Sequence, residues 1–260
     1  MENRLYSLMY PGFSYTSRKN PSALNAATQA KAAQFFETRF SRVNDGMLVL
    51  VGDLDEATVR RTLLKYLGGF RTQKTGQPRK TVHYQPLPGR TTHQGTDGPK
   101  GLYVRLDTEY PLSGIHYVLA EVASEVLRRH IVAALDGTGL SVEVTTGFHS
   151  YPQERLWMFI ACEGNDAEKA LPALRKGIRK AAESTVSKKD LDALKAMASA
   201  ETARELTEPE TMVTAVVARY GIGKDLVSHY KESVNGITAT RLSEMLSALA
   251  AGSAVEYVVE

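Results

Sequence analysis

The sequence is poor in the features that build disulfide scaffolds, membrane spans and signal peptides. Its 260 residues include a single cysteine, Cys162, which excludes an internal disulfide and a cysteine-based metal cluster. No apolar run approaches the ~20 residues that a membrane helix needs, and Met1–Tyr10 lacks the basic start and long apolar core of a signal peptide. The composition, 43% hydrophobic and 23% charged, predicts a globular chain with room for one large domain or two of ordinary size.

Complete catalytic motifs are also missing. Helical zinc sites of hydrolases use H-E-x-x-H or H-x-x-E-H, and none of the six histidines lies in either pattern. A G-x-S-x-G nucleophile turn is absent as well. Tyr220–Lys224 (YGIGK) lacks the spacing of a phosphate-binding loop, and Gly137–Gly139 lies between a helix and a strand, the reverse of the dinucleotide-loop order. The sequence therefore predicts no catalytic residue and no metal ligand in this chain.

Two weaker candidates for chemistry have simpler explanations. Glu121, Glu125 and His130 lie on one predicted helix, but His130 is five residues beyond Glu125 and points about 140° away from it at 3.6 residues per turn. A solvated helix face with neighbouring arginines explains them better than a metal site. Cys162 ends the apolar run Leu156–Cys162, which favours a buried strand cysteine over a catalytic thiol.

A basic connector divides the sequence. Residues 71–100 carry six basic residues and one acid, a charge of +5 in a chain whose net charge is +3, and they hold four of the ten prolines. This composition, with no apolar periodicity, is typical of a solvated linker. A nucleic-acid-binding role would need the charges on a folded face with a recognisable motif, so we expect no nucleic-acid partner. The predicted parts are residues 1–70, the linker 71–100 and residues 101–260.

The first part has too few elements to close a core. Thr28–Phe40 is predicted as a helix, Met47–Val51 (MLVLV) as a strand covered on both faces, and Asp55–Phe70 as a second helix ending at a glycine pair. A helix, a strand and a helix bury little apolar surface between them. We therefore interpret residues 1–70 as the tail of a domain whose beginning is missing.

The second part has the elements of a nearly complete domain. Alternating or periodic apolar residues and helix-capping patterns predict its strands and helices. They are a strand around Leu102–Leu106, a helix at Tyr117–Leu135, strands at Ser141–Thr146 and Arg155–Cys162, a helix at Asp166–Ala182, helices capped at Ser187 and Thr207, a helix through Leu242–Leu249 and a strand at Ala254–Val259.

The two parts end in the same unit. Residues 28–51 and residues 238–259 each run from a threonine-capped helix through a turn to an apolar strand. This similarity suggests two copies of one domain, the first truncated. The predicted fold class is α/β (α+β), with repeated domains in which a mixed or antiparallel sheet packs against helices.

The order of elements resembles the pitrilysin/insulinase family of zinc peptidases, which carry the inverted motif H-x-x-E-H. The likeness rests on Thr28 through FFETRF, on Met47–Asp55 (MLVLVGDLD) and on the helix ending KYLGGF, and it continues through most of the chain. It implies repeated domains arranged as two halves around a chamber, with the zinc motif in the first domain only. By this resemblance the chain is the non-catalytic C-terminal part, inactive alone, and zinc is expected in the missing N-terminal part. The implied partners are the N-terminal half of the same polypeptide, or a homologous subunit, and a peptide substrate.

One interval departs from active relatives, which carry an arginine at the end of the long helix and a tyrosine just after the glycine turn. Both residues help to hold substrate, and Ile131–Thr146 contains neither type. By alignment, Val132 or Asp136 takes the place of the arginine, and Gly139 or Leu140 that of the tyrosine. These four are the candidate substrate-facing residues. The departure keeps a second hypothesis open, a catalytically dead assembly subunit like the family's respiratory-complex core proteins.

Overall fold

The computed structural model describes residues 1–11, 28–40, 46–69 and 85–260. In these ranges the helices are α1 (Glu2–Met9), α2 (Gln29–Phe40), α3 (Glu56–Leu67), α4 (Gly114–Ala134), α5 (Ala167–Glu183), α6 (Lys188–Glu205), α7 (Pro209–Gly221), α8 (Tyr230–Asn235) and α9 (Ala239–Ala251). The strands are β1 (Arg90–Gly95), β2 (Gly101–Glu109), β3 (Ser141–His149), β4 (Arg155–Glu163) and β5 (Ser253–Val259).

The five strands form one mixed sheet in the order β1-β5-β2-β4-β3. β1 runs parallel to β5, and the other neighbours are antiparallel. β2 lies at the centre, where Tyr103 is opposite Ala161 of β4 and Tyr257 of β5. The predicted fold class, a mixed sheet packed with helices, is confirmed.

One face of the sheet packs against α4, α5 and α9. The alternating residues Leu102, Val104 and Leu106 of β2 are at most 1% exposed and share a core with Leu119 of α4 and Leu246 of α9. A further close contact joins the helices. A Cβ added at Gly177 of α5 would lie 3.0 Å from the Cα atom of Ile131 in α4, so a glycine is needed for this approach. The packing fixes α4 along its length and thereby places the loop that follows it.

The other face of the sheet is covered by α1. Leu5, Met9 and Tyr10 are buried against Tyr103 of β2 and Tyr257 of β5. This cover explains why residues 101–107 of β2 are buried on both faces. The assignment of residues 1–70 to a first unit is therefore wrong for α1, which packs on the sheet of the second. Eight residues with two buried positions four apart give too short a periodic pattern for the sequence to predict this helix.

A buried ionic cluster lies beneath α1. Asp107 is fully buried and accepts a hydrogen bond from Nε of Arg155 at 2.6 Å, while Nη2 of Arg105 lies 3.6 Å from its other oxygen. The guanidinium of Arg105 lies 4.9 Å from the ring centre of Tyr6 in α1 and 4.8 Å from that of Trp157 in β4. Such contacts are cation–π interactions. α1 is thus held to the sheet by aromatic and charged contacts as well as by apolar burial.

Three further predictions fail in the described residues. β1 lies inside the predicted linker 71–100, because a polar sequence, RTTHQG, forms a strand once β5 offers a ladder of hydrogen-bonding groups. Met47–Val51 forms no strand, because no neighbouring strand pairs with it among the described residues.

Thr207 does not cap α7. Its hydroxyl donates to the carbonyl of Arg204, and α7 begins at Pro209. The remaining predicted helices and strands are confirmed within a few residues.

A second buried carboxylate ties β1, β5 and α5 together. Glu256 accepts hydrogen bonds from Arg90 at 2.6 Å, from Thr92 at 2.7 Å and from Nε of Arg175 at 3.0 Å. Burial raises the pKa of Glu256, but the hydrogen bonds from Arg175, Thr92 and Arg90 outweigh it and hold the pKa below its ordinary value of 4.5. The carboxylate is therefore bound more strongly in its charged form than in its protonated form.

Glu256→Gln is expected to remove a pH-dependent part of the stability. A folded-state pKa below the unfolded value stabilises the fold above pH 4.5, and this contribution is lost as the pH falls through the folded pKa. The difference in Tm between wild type and variant should therefore be largest near neutral pH and shrink below pH 4.5. Thermal unfolding across the range from neutral to acidic pH measures it, with the exposed Glu232→Gln as control. A difference that stays constant across this range would contradict the prediction.

Candidate functional site

The loop between α4 and β3 forms the candidate site. α4 ends at Ala134, and the N–H of Leu135 closes its last turn on the carbonyls of Ile131 and Val132. Gly137 and Gly139 then take φ values of +77° and +73°, a left-handed conformation that favours glycine. Two left-handed residues in three positions reverse the chain tightly, so that Leu140 and the start of β3 lie beside the last turn of α4.

This reversal forms an open depression of about 690 Å³. All four candidate residues, Val132, Asp136, Gly139 and Leu140, line it, together with Arg128, Leu135, Gly137 and Val142. Val132 and Asp136 are exposed and Leu140 is half-buried. The structure therefore brings the predicted residues together at one surface, while their contact with substrate stays a prediction.

Of the four lining residues that sequence reasoning missed, Arg128 is the charged one. It lies one helical turn before Val132. Among the described residues that line the depression, it is the positively charged one. Its Nε and Nη2 atoms donate to Glu125 at 2.7 and 3.0 Å, and Arg129 donates to the same carboxylate at 2.7 Å. The two hydrogen bonds from Arg128, with the one from Arg129, hold the pKa of Glu125 below its ordinary value. The i, i+3 spacing of Glu125 and Arg128 was visible in the sequence, but the facing loop that makes Arg128 a lining residue was not.

The depression has the chemistry of a binding surface. Its apolar side chains, Val132, Leu135, Leu140 and Val142, are flanked by the guanidinium of Arg128 and the carboxylate of Asp136. Its lining includes no serine, cysteine or histidine for a nucleophile and base pair. Beside it, β3 pairs with β4 on one side, and its outer edge has no partner among the described strands. An open strand edge beside an apolar depression suits an extended peptide.

The residues considered for metal binding lie in different surroundings on α4. Glu125 is held by Arg128 and Arg129, and burial, with a smaller effect of the Lys180 charge, lowers the pKa of His130. In the part of the chain that the structure describes, no three His, Cys, Asp or Glu side chains are grouped so as to hold a metal ion. Glu121 is exposed on the same helix.

The single cysteine is a core residue. Cys162 is fully buried in β4 among the side chains that face α4 and α5. Burial raises the pKa of its thiol to about 12, which keeps it protonated and unreactive at neutral pH. The prediction of a buried strand cysteine is confirmed.

None of the described helices combines the length and the apolarity that a membrane crossing requires.

The fold recurs in solved peptidase structures. The ferredoxin protease FusC, solved in complex with Arabidopsis ferredoxin, matches 98% of this chain at 12% identity and a TM-score of 0.71. The periplasmic protease PqqL from Escherichia coli matches 99% at 12% identity and 0.72. The peptidase M16 inactive domain from Pseudomonas fluorescens matches all of it at 13% identity and 0.70. The chain spans only 29%, 30% and 65% of these proteins.

The family assignment rests on the sequence. No curated protein sequence matches the chain. Residues 26–198, more than half of the chain, match the family described as the peptidase M16 inactive domain. The match begins just before α2 and ends within α6, so it covers the loop that lines the depression. With this match and the shared fold, the chain belongs to the M16 (pitrilysin-type) peptidase family, as a segment of its inactive domain.

Proposed function

We propose that the chain is the non-catalytic C-terminal part of a zinc-dependent metalloendopeptidase. It closes the chamber and positions a peptide for a zinc site carried by the H-x-x-E-H part, either upstream in the same polypeptide or in a homologous subunit. The observation that supports this most is the inactive-domain match across residues 26–198. Two of the solved structures with a similar fold are proteases, which is in line with the proposal.

The depression is where we expect the peptide to lie. An extended segment along the outer edge of β3 would place one side chain against Val132 and Leu140, within reach of Arg128 and Asp136. Apolar contact of this kind binds substrate and transition state equally, so it acts on KM more than on kcat. The role is therefore positioning, and the chemistry belongs to the zinc part.

Val132→Asp tests this role in the complex of this chain with the H-x-x-E-H part. Val132 is 43% exposed, so the change leaves the fold intact but places a carboxylate on the apolar wall. We expect KM for a fluorogenic peptide to rise about fivefold, the equivalent of roughly 1 kcal/mol, with kcat within about twofold. Val217→Asp on α7, 46% exposed and outside the depression, is the matched control. Equal KM values for wild type and both variants would contradict substrate positioning here.

One observation favours a second candidate, a catalytically dead scaffold subunit. Ile131–Thr146 lacks the arginine and the tyrosine that the resemblance expects in an active relative. The fold is also shared with a chain of Complex III2 from Candida albicans, at 14% identity and a TM-score of 0.72. The zinc motif of the partner distinguishes the two functions. A partner with an intact H-x-x-E-H favours the peptidase, and a partner with a broken motif favours the scaffold.

A further inference from the structure

Buried polar atoms without hydrogen-bond partners gather on one face of the sheet. Among the described residues, six buried side-chain nitrogen or oxygen atoms make no hydrogen bond. One of them belongs to the turn between β3 and β4, and the other five belong to strand residues on the face that α1 covers. These five residues are Thr91, His93, Arg105, Asp107 and Tyr257. Native proteins leave few buried polar atoms unpaired, so five at one interface need a physical explanation.

Strand register places all five residues on the α1 face. Side chains alternate between the two faces of a strand. The two members in β2 stand two and four residues after Tyr103, which is buried with α1, and they therefore share its face. Tyr257 of β5 lies opposite Tyr103. In β1, His93 lies opposite Tyr257 and Thr91 lies two residues earlier, so both belong to the same face.

A comparison of two buried carboxylates shows how the two faces of the sheet differ. On the face that α4, α5 and α9 cover, both oxygens of Glu256 accept hydrogen bonds. Under α1, the Oδ2 atom of Asp107 accepts none, although Nη2 of Arg105 lies 3.6 Å away. Burial raises the pKa of Asp107 above its ordinary value, and the charges of Arg105 and Arg155 do not offset this effect. The face under α1 is therefore the one on which burial of polar groups is poorly compensated.

The unpaired atoms weaken the docking of α1. A polar atom that is buried without a hydrogen bond loses its contact with water and gains no partner in return. When α1 leaves the sheet, water reaches the face and this cost disappears, while the apolar burial of Leu5 and Met9 is lost. Because the two effects oppose each other, α1 docks less strongly than its apolar burial alone would allow. Elements that dock weakly open locally, without unfolding of the rest.

The attachment of α1 also permits such an opening. Beyond its own turns, α1 makes one backbone hydrogen bond with a described residue, from the N–H of Leu87 to the carbonyl of Met9 at 2.8 Å. Its other contacts with the sheet are made by side chains, such as Arg4, whose guanidinium lies 4.6 Å from the ring centre of Tyr257. A helix of eight residues held in this way can leave without breaking any strand pair of the sheet.

We propose that α1 is a strap that opens and closes in the native protein, and that its opening uncovers a basic and aromatic face of the sheet while the core under α4, α5 and α9 stays folded. The uncovered face carries Arg105 and Arg155 around a single carboxylate, with the rings of Tyr103 and Trp157 beside them. This inference concerns a movement of the chain itself, and it holds whether or not the proposed peptidase function does.

Thiol labelling compares the opening of α1 with global unfolding in one molecule. Val255 is 1% exposed beneath α1 and is close in shape to cysteine, whereas the native Cys162 lies in the core on the other face. The rate of reaction with a soluble maleimide is divided, for each thiol, by its rate in the unfolded chain. In Val255→Cys, we expect the introduced thiol to react at least about tenfold faster than Cys162. Equal rates would show that α1 opens only when the whole chain unfolds, and would overturn the proposal.

Two tyrosines on the covered face isolate the effect of an unpaired atom. The hydroxyl of Tyr257 has no hydrogen-bond partner, whereas that of Tyr103 lies 3.0 Å from two acceptors, the Pro99 carbonyl and a carboxylate oxygen of Glu163. Both side chains are at most 2% exposed. Tyr257→Phe removes an unpaired atom, and we expect it to slow the labelling of Val255→Cys about fivefold, the equivalent of roughly 1 kcal/mol. Tyr103→Phe is the matched control and should not slow it.

The opposite result for Tyr257 has a clear meaning. If a buried water molecule pairs with its hydroxyl, Tyr257→Phe loses a hydrogen bond and labelling becomes faster, which would overturn the proposal, as would an unchanged rate. Amide exchange in the wild-type chain provides a check without any substitution. The amides of residues 2–9 should exchange at least about tenfold faster than those of β2 and β4. Equal protection of α1 and these strands would contradict the strap.

Discussion

Asp107→Ala is expected to lower the free energy of unfolding by about 3–5 kcal/mol, the cost of removing one partner from a buried ion pair. Asp107 is fully buried between two arginines that are themselves at most 4% exposed. Its removal leaves Arg105 and Arg155 with like charges and no carboxylate between them. Neither side chain can reach water while α1 stays on the sheet.

The cluster also makes polar contacts with α1 and with Tyr10, the residue that follows it. The Arg155 Nε atom donates to the hydroxyl of Tyr10 at 3.1 Å, and Arg105 lies 3.6 Å from Glu2 of α1. We therefore expect the Asp107→Ala variant to lose α1 before it loses the rest of the fold. Loss of α1 would expose Arg105 and Arg155 to water and would limit the total cost.

Denaturant unfolding of the whole chain measures the effect. The matched control is Asp97→Ala, which removes a carboxylate from a surface ion pair with Arg4 at 3.0 Å. Asp97 is 80% exposed, and such pairs contribute about 0–1 kcal/mol. Equal losses for the two variants would show that the cluster beneath α1 is not buried as described.

Leu5→Asp is expected to release α1 from the sheet. Leu5 is fully buried in the apolar cluster with Met9, Tyr103 and Tyr257. Full burial of a leucine side chain contributes roughly 1.5–3 kcal/mol, and an unpaired carboxylate in its place adds a desolvation cost. Because α1 can detach instead of burying the charge, the loss is bounded by the whole docking free energy of the helix.

Two measurements separate release of α1 from global unfolding. Amide exchange in residues 2–9 should become fast in Leu5→Asp, while the amides of β2 and β4 stay slow on the same timescale. The denaturant midpoint should fall, since the sheet loses its cover. Leu64→Asp is the control, because Leu64 lies on α3 and is 65% exposed. Protected α1 amides in Leu5→Asp would refute the assignment of α1 to the second unit.

The long, strongly periodic elements of this chain could be predicted from the sequence, and the reason is local. α4 and α9 carry apolar residues at helical spacing over three or more turns, and α9 begins at the capping threonine Thr238. The β3–β4 hairpin follows from two apolar segments close together in the sequence. Each of these signals lies within the element itself.

The predictions that failed concern elements whose structure depends on other segments, far away in the sequence. β1 is a polar hexapeptide that becomes a strand only beside β5, more than 150 residues away. α1 is amphipathic over two turns, and its partner face is built from β2, β4 and β5. Met47–Val51 has the apolar pattern of a strand but lacks neighbours among the described residues. A pattern within one segment does not say which other segment it meets.

The residues of the candidate site likewise include some that the sequence predicted and one whose place depends on the tertiary structure. Val132, Asp136, Gly139 and Leu140 were placed by family resemblance, and the structure brings all four to one depression. Arg128 was overlooked because its i, i+3 partner Glu125 suggested a solvated helix face. Its place beside the loop depends on the left-handed turn at Gly137 and Gly139, a tertiary feature.

The peptidase activity of the reconstituted complex tests the central claim most directly. The 260-residue chain, the H-x-x-E-H part expressed on its own, and their equimolar mixture are each assayed on one fluorogenic peptide library, with and without a zinc chelator. We predict no hydrolysis by this chain, little by the partner alone, and chelator-sensitive hydrolysis by the mixture at least about 100-fold above the partner, the effect of completing a substrate-positioning site. Hydrolysis by this chain alone, or a mixture no more active than the partner, would contradict the account.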